Sequence, residues 1–126
     1  MKYIKRFEST VTELDLSNSN LKILPGLPDT LTYLNCNYNE LTSLPNLPES
    51  LDLLYCSGNK ITSLPGLPDT LQYLDCSDNK LSNLPILPDG LEYLSCGGNN
   101  LPYNNLREYK EWKEYPEKVL SKKFNI

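Results

Sequence analysis

The apolar positions of the chain recur with a fixed spacing of twenty residues. Between residues 11 and 101 the shared pattern is L-x-x-L-x-C-x-x-N-x-L-x-x-L-P-x-L-P-x-x, as in "LQYLDCSDNKLSNLPILPDG" at 71–90. Next to each cysteine, apolar and other residues alternate with the period of two that is typical of a half-buried β-strand. The two prolines of each repeat lie three residues apart and exclude a helix. Each repeat is therefore predicted to hold a short strand and an extended, polyproline-like segment.

The first half of this pattern is the signature of a leucine-rich repeat, with cysteine in the third apolar position. One repeat of twenty residues buries too little apolar surface to be stable alone, so neighbouring repeats are expected to stack around a shared core. We predict a leucine-rich-repeat solenoid with a short parallel β-sheet on its concave face and an extended convex face. Five repeats occupy residues 11–101, and the last of them is incomplete.

Both ends of the chain depart from the period. Residues 1–10 match half a repeat and are predicted to form an N-terminal cap over the first strand. Residues 102–126 lose the repeat pattern and are predicted to form a C-terminal helical cap. Such caps are needed because the end of a solenoid exposes apolar core and an unpaired strand edge.

The predicted helix in the C-terminal cap lies in "NNLREYKEWKEY". Leu106, Tyr109 and Trp112 fall on one stripe at helical spacing, and Asn105 is placed as the N-cap residue, three positions before a glutamate. Pro116 interrupts the helix, and another turn or two is expected after it.

An asparagine follows each predicted strand from the second repeat onward. The backbone turns inward there, and a buried carboxamide offers donors and an acceptor to main-chain groups that water cannot reach. We predict a structural ladder of buried asparagines, with a looser end in the first repeat, where Ser19 takes the same position. The ladder consists of Asn39, Asn59, Asn79 and Asn99.

The four cysteines share one position of the repeat. Stacked strands place neighbouring cysteines about 4.8 Å apart in a line, which does not allow the tetrahedral arrangement around one ion that zinc requires. Parallel side chains also keep the Cβ atoms further apart than the ~3.8 Å of a disulfide. We predict that they are free thiols that pack as small hydrophobic residues in the core. They are Cys36, Cys56, Cys76 and Cys96.

Composition and charge narrow the classes of function. The chain has 126 residues, a net charge of −4 and no histidine, so the commonest general base and metal ligand is missing. Residues 11–100 carry three lysines against eleven acids, which argues against a nucleic-acid groove. No signal peptide or membrane span is recognisable. We expect an intracellular, cytoplasmic protein that is not an enzyme and has no metal or cofactor, since nothing supplies a nucleophile with its base.

The outward positions of the strands form columns on the predicted concave face, the usual binding surface of a solenoid. Tyrosine is enriched at interface hot spots, and the surrounding acids favour a protein or peptide partner of basic character. In the other interpretation, the tyrosines only pack on neighbouring strands as cross-strand pairs. The candidate binding residues are Glu13, Asp15, Tyr33, Asn35, Leu53, Tyr55, Tyr73, Asp75 and Tyr93. A flanking column contains Thr12, Thr32, Asp52, Gln72 and Glu92.

The phrase "LPxLPxxLxxL" resembles the repeats of secreted effectors from enteric bacterial pathogens, some of which carry a ubiquitin-ligase domain. The sequences "LPDTLQYLDCSDNK" and "NNLREYKEWKE" resemble short leucine-rich-repeat proteins of giant amoeba-infecting viruses. Both resemblances imply a cytoplasmic interaction module, for the viral group one that acts on host proteins. No ligase activity is implied, because the residues after the repeats contain no cysteine.

Two classes of function therefore remain open. The favoured one is a protein-binding module that uses the tyrosine columns. The alternative is a structural or self-assembling component that docks through its terminal caps or edges, and an oligomeric state that depends on Trp112 would favour it. The sequence leaves the oligomeric state open.

Overall fold

The computed structural model describes residues 10–124, which form one parallel sheet followed by two helices. Nearly all of the predicted N-terminal cap lies outside the described residues. The five strands follow one another in the sheet in the order of the chain. They are β1 (Glu13–Asp15), β2 (Tyr33–Asn35), β3 (Leu53–Tyr55), β4 (Tyr73–Asp75) and β5 (Tyr93–Ser95). The helices are α1 (Leu106–Glu114) and α2 (Pro116–Phe124).

The register of the sheet follows directly from the repeat length. Each strand residue pairs with the residue twenty positions further along, for example Glu13 with Tyr33 and Leu53 with Tyr73. The hydrogen-bond ladder continues one residue past each strand, where the Cys36 N–H donates to the Tyr55 carbonyl at 2.8 Å. The predicted strands are confirmed. Each was predicted to run from the leucine to the cysteine of the pattern, and each begins and ends one residue earlier than that.

The core is a stack of leucine and cysteine layers behind the sheet. The middle residue of every strand points into it, and Leu34, Leu54 and Leu74 have no exposed surface. Burying a leucine in this way contributes roughly 1.5–3 kcal/mol. Leucines from the opposite wall close the core: Leu24 and Leu44 are buried, and Leu64 and Leu84 are half-buried against it.

Between consecutive strands the chain forms neither helix nor strand. The second proline of each repeat is buried, and its carbonyl accepts a hydrogen bond from the leucine three residues on, as from Leu71 N–H to Pro68 at 3.1 Å. This turn brings the chain back to the sheet, where the next strand begins two residues later.

The C-terminal cap begins at the edge of β5. The Cys96 N–H donates to the Asn104 carbonyl at 2.9 Å, and Ser95 and Asn105 form an antiparallel bridge. These contacts cover an edge that would otherwise be open to further strand pairing. Asn105 is the N-cap residue of α1, as predicted: its side chain accepts a hydrogen bond from the Glu108 N–H at 2.9 Å.

Helix α1 closes the core with an aromatic cluster. Leu106, Tyr109 and Trp112 are half-buried against the repeats, which confirms the predicted stripe. Tyr103 is buried beneath the helix, with its ring 5.1 Å from those of both Tyr109 and Trp112. Pro116 opens a second helix of nine residues, longer than the turn or two expected, because proline is well tolerated at the first position of a helix.

Candidate functional site

The outward residues of the five strands form one continuous surface, which we call the tyrosine face. Side chains alternate along a strand, so the residues on either side of each buried leucine point away from the core. All nine predicted binding residues lie on this face, and each is exposed or half-buried. They are Glu13, Asp15, Tyr33, Asn35, Leu53, Tyr55, Tyr73, Asp75 and Tyr93.

The tyrosines of the face associate in two pairs. Tyr33 and Tyr55 are tilted against each other with ring centroids 5.8 Å apart, and Tyr73 and Tyr93 are stacked at 5.7 Å. The rings therefore pack on one another, as the cross-strand interpretation holds. They also remain accessible: Tyr73 and Tyr93 expose 38% and 45% of their surface. Aromatic pairs held in this way lose little conformational freedom when a partner covers them.

Three polar members of the face, Asp15, Asn35 and Asp75, also hold the chain as it leaves the sheet. Each accepts through its Oδ1 a hydrogen bond from the backbone N–H two residues on, at 3.0, 3.0 and 3.1 Å respectively. Asp15 and Asp75 in addition accept a hydrogen bond from the hydroxyl of the serine two residues on, Ser17 and Ser77 respectively. These residues thus have a structural role besides contributing acceptors and negative charge to the surface.

Asp52 lies beside the face in the flanking column, and its environment was not foreseen from the sequence. It is half-buried, whereas the other four members of that column are exposed. Its Oδ1 is shielded from solvent and has no hydrogen-bond partner within residues 10–124. No residue type or spacing signals such an environment, because it depends on how the neighbouring side chains pack.

The asparagine ladder fixes the backbone behind the face. The Asn59 Oδ1 accepts hydrogen bonds from the N–H groups of Asn39 at 3.2 Å and Leu41 at 3.1 Å. Its Nδ2 donates to the carbonyls of Cys36 at 3.1 Å and Cys56 at 3.2 Å. Neighbouring rungs repeat this arrangement, so the predicted ladder is confirmed, although Asn99 at its end is only half-buried. Consecutive repeats are tied together with little freedom to shift.

One residue before each asparagine, the backbone enters the left-handed region. The residue there is glycine in two repeats, and the others accept a positive φ, as Tyr38 does at 58°. The ring of Tyr38 lies directly over Gly58, where any Cβ would collide with it. Tyr38 is 59% exposed, and its ring packs on the backbone of the next repeat, a feature that the sequence reasoning missed.

The four cysteines are free and buried, which confirms their predicted place in the core. Burial raises the pKa of the Cys36 thiol to about 12 and raises the pKa values of the Cys56 and Cys76 thiols as well. A thiol with a raised pKa is a poor nucleophile at neutral pH. Across residues 10–124, no cluster of three or more potential metal-ligating side chains occurs. In the same part of the chain, neither helix is long and apolar enough to cross a membrane.

Comparison with known families agrees with this fold. Residues 49–88 match the family described as "Leucine Rich repeats (2 copies)". The parallel sheet and its short helical end match solved leucine-rich-repeat structures, so the predicted solenoid is confirmed. No curated protein sequence matches the chain.

Three solved structures of bacterial effectors are similar to the chain. The leucine-rich-repeat domain of a Shigella effector is 46% identical, with a TM-score of 0.69 over 71% of this chain and 41% of that one. YopM from Yersinia enterocolitica WA-314 is 30% identical, with a TM-score of 0.60 over 80% of this chain and 27% of that one. YopM from Yersinia pestis, a leucine-rich effector protein, is 32% identical, with a TM-score of 0.66 over 71% of this chain and 31% of that one.

The chain therefore spans less than half the length of each of these effector chains. The likeness establishes a leucine-rich-repeat solenoid of the kind found in effectors. Such solenoids generally serve as scaffolds for protein–protein interaction and not as enzymes.

Proposed function

We propose that the protein is a non-enzymatic interaction module that binds a protein or peptide on the tyrosine face. The observation that carries this proposal is the pair of exposed, stacked rings of Tyr73 and Tyr93 on a rigid sheet. Tyrosine presents a large and stiff contact area with a polar end, and it is a frequent anchor of protein interfaces. In the predicted solenoid this surface is the concave one.

The charge of the surface specifies the partner further. The three columns of the sheet surface contain five acids and no lysine or arginine. Because complementary charge favours encounter and selects among partners, the bound protein or peptide carries basic residues in the segment that meets the face. The same acidic surface disfavours nucleic acid, whose phosphates would be repelled.

The likeness to Shigella and Yersinia effectors supports a role in the cytoplasm of a host cell, where the module acts on host proteins. The resemblance to the proteins of giant amoeba-infecting viruses leads to the same role in a different setting. In both cases the repeats supply recognition, and any effect on the host follows from the partner that is bound.

A peptide library displayed on phage tests the proposal. Peptides selected on the wild-type protein are titrated against two variants whose folding is checked by circular dichroism. Tyr33→Ala/Tyr73→Ala/Tyr93→Ala alters the face, and Ile23→Ala/Ile86→Ala is the matched control. Ile23 and Ile86 lie outside the sheet and are 78% and 91% exposed.

We expect the selected peptides to carry a net positive charge and to lose at least about tenfold in affinity for the tyrosine variant, since hot-spot residues contribute about 2 kcal/mol each. Affinity for the isoleucine variant is expected to stay within about twofold of the wild type. Equal binding to all three proteins would place the binding surface elsewhere, and selection of acidic peptides would contradict the proposed basic character of the partner.

A further inference from the structure

The two tyrosine pairs of the face follow each other along the sheet. Tyr33 on β2 packs on Tyr55 on β3, and Tyr73 on β4 packs on Tyr93 on β5, with ring centroids 5.8 and 5.7 Å apart. Each pair therefore spans two neighbouring strands. Since neighbouring strands lie about 4.8 Å apart, the two pairs are separated by two strand spacings, about 10 Å measured on the backbone. The face thus presents two aromatic contact points at a fixed distance.

A peptide in the polyproline II conformation matches this distance. It has three residues per turn and rises about 3.1 Å per residue, so residues i and i+3 lie on the same side, about 9 Å apart. A β-strand places side chains of one side about 7 or 13 Å apart. An α-helix reaches about 10 Å only after seven residues, and its carbonyl groups are already bonded within the helix.

The tyrosines also suit such a ligand chemically. A polyproline II backbone has no internal hydrogen bonds, so its carbonyl groups accept from hydroxyl groups, and its proline rings dock on aromatic surfaces. All four rings are accessible, because Tyr33 and Tyr55 are half-buried and Tyr73 and Tyr93 are exposed. The Tyr33 hydroxyl accepts a hydrogen bond from the Asn35 Nδ2 at 3.5 Å, which leaves its own hydrogen to be donated.

Negative charge is placed unevenly along the face. Glu13 and Asp15 are exposed on β1, beside the first tyrosine pair, whereas Tyr93 and Ser95 take the same positions on β5. A basic side chain of the ligand is therefore attracted towards β1.

We propose that the tyrosine face binds a proline-rich segment in the polyproline II conformation. Two prolines three residues apart pack on the two tyrosine pairs, and a basic residue beside them meets β1. The inference rests on the proposed function of the tyrosine face and names the class of peptide that the face recognises. Because such a segment is extended before it binds and the rings are held by the sheet, binding orders little on either side.

The probe is the synthetic peptide acetyl-RRPAAPAA-amide, titrated into the full ¹⁵N-labelled chain and followed by the amide resonances of the four tyrosines. Acetyl-RRPAAAPA-amide has the same composition, but its prolines are four residues apart and lie on different sides of the polyproline II helix. Acetyl-EEPAAPAA-amide keeps the proline spacing and reverses the charge.

We expect saturable shifts with the first peptide and at least about fivefold weaker binding of each of the other two, since one loses a proline contact and the other is repelled by the acids. Equal binding of the two arginine peptides, or no saturable shift with the first, overturns the proposal. Equal binding of the glutamate peptide overturns the assignment of a basic residue beside β1.

Variants of the face test the placement of the peptide. Tyr33→Ala/Tyr55→Ala removes one pair and Tyr73→Ala/Tyr93→Ala removes the other, and each is expected to weaken binding of the first peptide about tenfold. Glu13→Gln is expected to weaken it about twofold at low salt and less at high salt. The isoleucine variant described above is the matched control and should stay within about twofold of the wild type. Loss of affinity in only one of the two tyrosine double variants would contradict a peptide that spans both pairs.

The phage-selected peptides separate the failure of this inference from the failure of the proposed function. If they carry prolines three residues apart and lose affinity for the triple tyrosine variant, both proposals are supported. If they lose affinity for that variant but lack such prolines, or become helical on binding as seen by circular dichroism, the face binds peptides of another class and only the present inference is wrong. If neither they nor the synthetic peptide respond to the loss of the tyrosines, both proposals are wrong.

Discussion

Removing the central rung of the asparagine ladder is expected to destabilise the protein strongly. In Asn59→Ala the N–H groups of Asn39 and Leu41 lose the acceptor that they share. The three carbonyls to which Asn59 donates, those of Cys36, Cys56 and Ser57, are less affected. Each accepts a second hydrogen bond, from Asn39, from Asn79 and from the Tyr38 N–H respectively. The cost is therefore set by two buried donors, at ~1–3 kcal/mol each, for a total of about 2–6 kcal/mol.

The end of the ladder gives a graded comparison. Asn99 is half-buried, and its Oδ1 accepts a hydrogen bond from the N–H of Leu81 at 2.9 Å. Because only one donor loses its acceptor, and in a more solvent-exposed environment, Asn99→Ala is expected to cost about 1–2 kcal/mol, less than Asn59→Ala. Asn46→Ala is the control, because Asn46 is exposed on the outer wall and its loss should change stability by less than about 0.5 kcal/mol.

The assay is urea unfolding followed by far-UV circular dichroism, with the slope of free energy against urea compared between variants. An unchanged slope indicates that the lower midpoint reflects lost stability and not a partly unfolded native state. The reasoning is refuted if Asn59→Ala loses no more stability than Asn46→Ala, or if Asn99→Ala loses more than Asn59→Ala.

Four further predictions concern the turns, the thiols and the cap. Gly58→Ala should lower the free energy of unfolding in urea by about 1–3 kcal/mol, because the residue has a φ of 69° and a Cβ there would collide with Tyr38. Gly66 has open space around it, so Gly66→Ala should cost less than about 1 kcal/mol. Equal losses of stability in the two variants would contradict this prediction. The pKa of the Cys36 thiol is raised in the folded state to about 12. The stability that the protonated thiol contributes is therefore complete below about pH 8.5, the pKa of an unfolded thiol, and is lost as the pH rises towards 12. Unfolding curves measured at alkaline pH should show this loss. At pH 8, Ellman's reagent should modify no thiol of the native protein within minutes and all four in guanidinium chloride; rapid native modification would exclude a buried stack. Trp112→Ala should lower stability by about 1–3 kcal/mol without changing the molar mass measured by light scattering, because the half-buried ring packs on Tyr103 within the same chain. A change in oligomeric state would favour self-assembly.

Much of the architecture follows from the sequence because the repeat length is constant. A fixed period of twenty places Leu34 beside Leu54 and Leu54 beside Leu74, which determines strand order and register without any further information. The N-cap at Asn105 was equally predictable, since it depends on local spacing. Pro116 is predicted to interrupt the helix before another turn or two, and α1 does end before it. The second helix is longer than predicted, because proline is also suited to the first position of a helix.

The details of the tyrosine face were less predictable. The columns followed from the period-two alternation, so the nine candidate residues were placed correctly on one surface. The pairing of Tyr33 with Tyr55 across a diagonal, and not with Leu53 opposite it, depends on side-chain rotamers that sequence spacing does not determine. The partial burial of Asp52 depends in the same way on packing between repeats, and the partner itself lies outside what a fold can specify.

The most direct test of the central claim is site-specific photo-cross-linking in a host-cell lysate. A benzophenone amino acid is placed at Tyr73 on the tyrosine face in one protein and at Ile86, which is 91% exposed outside the sheet, in another. We predict that a defined protein is cross-linked from position 73, that it is competed away by the phage-selected peptide, and that it is not obtained from position 86. Cross-linking of the same protein from position 86 but not from position 73 would contradict the assignment of the tyrosine face as the binding surface.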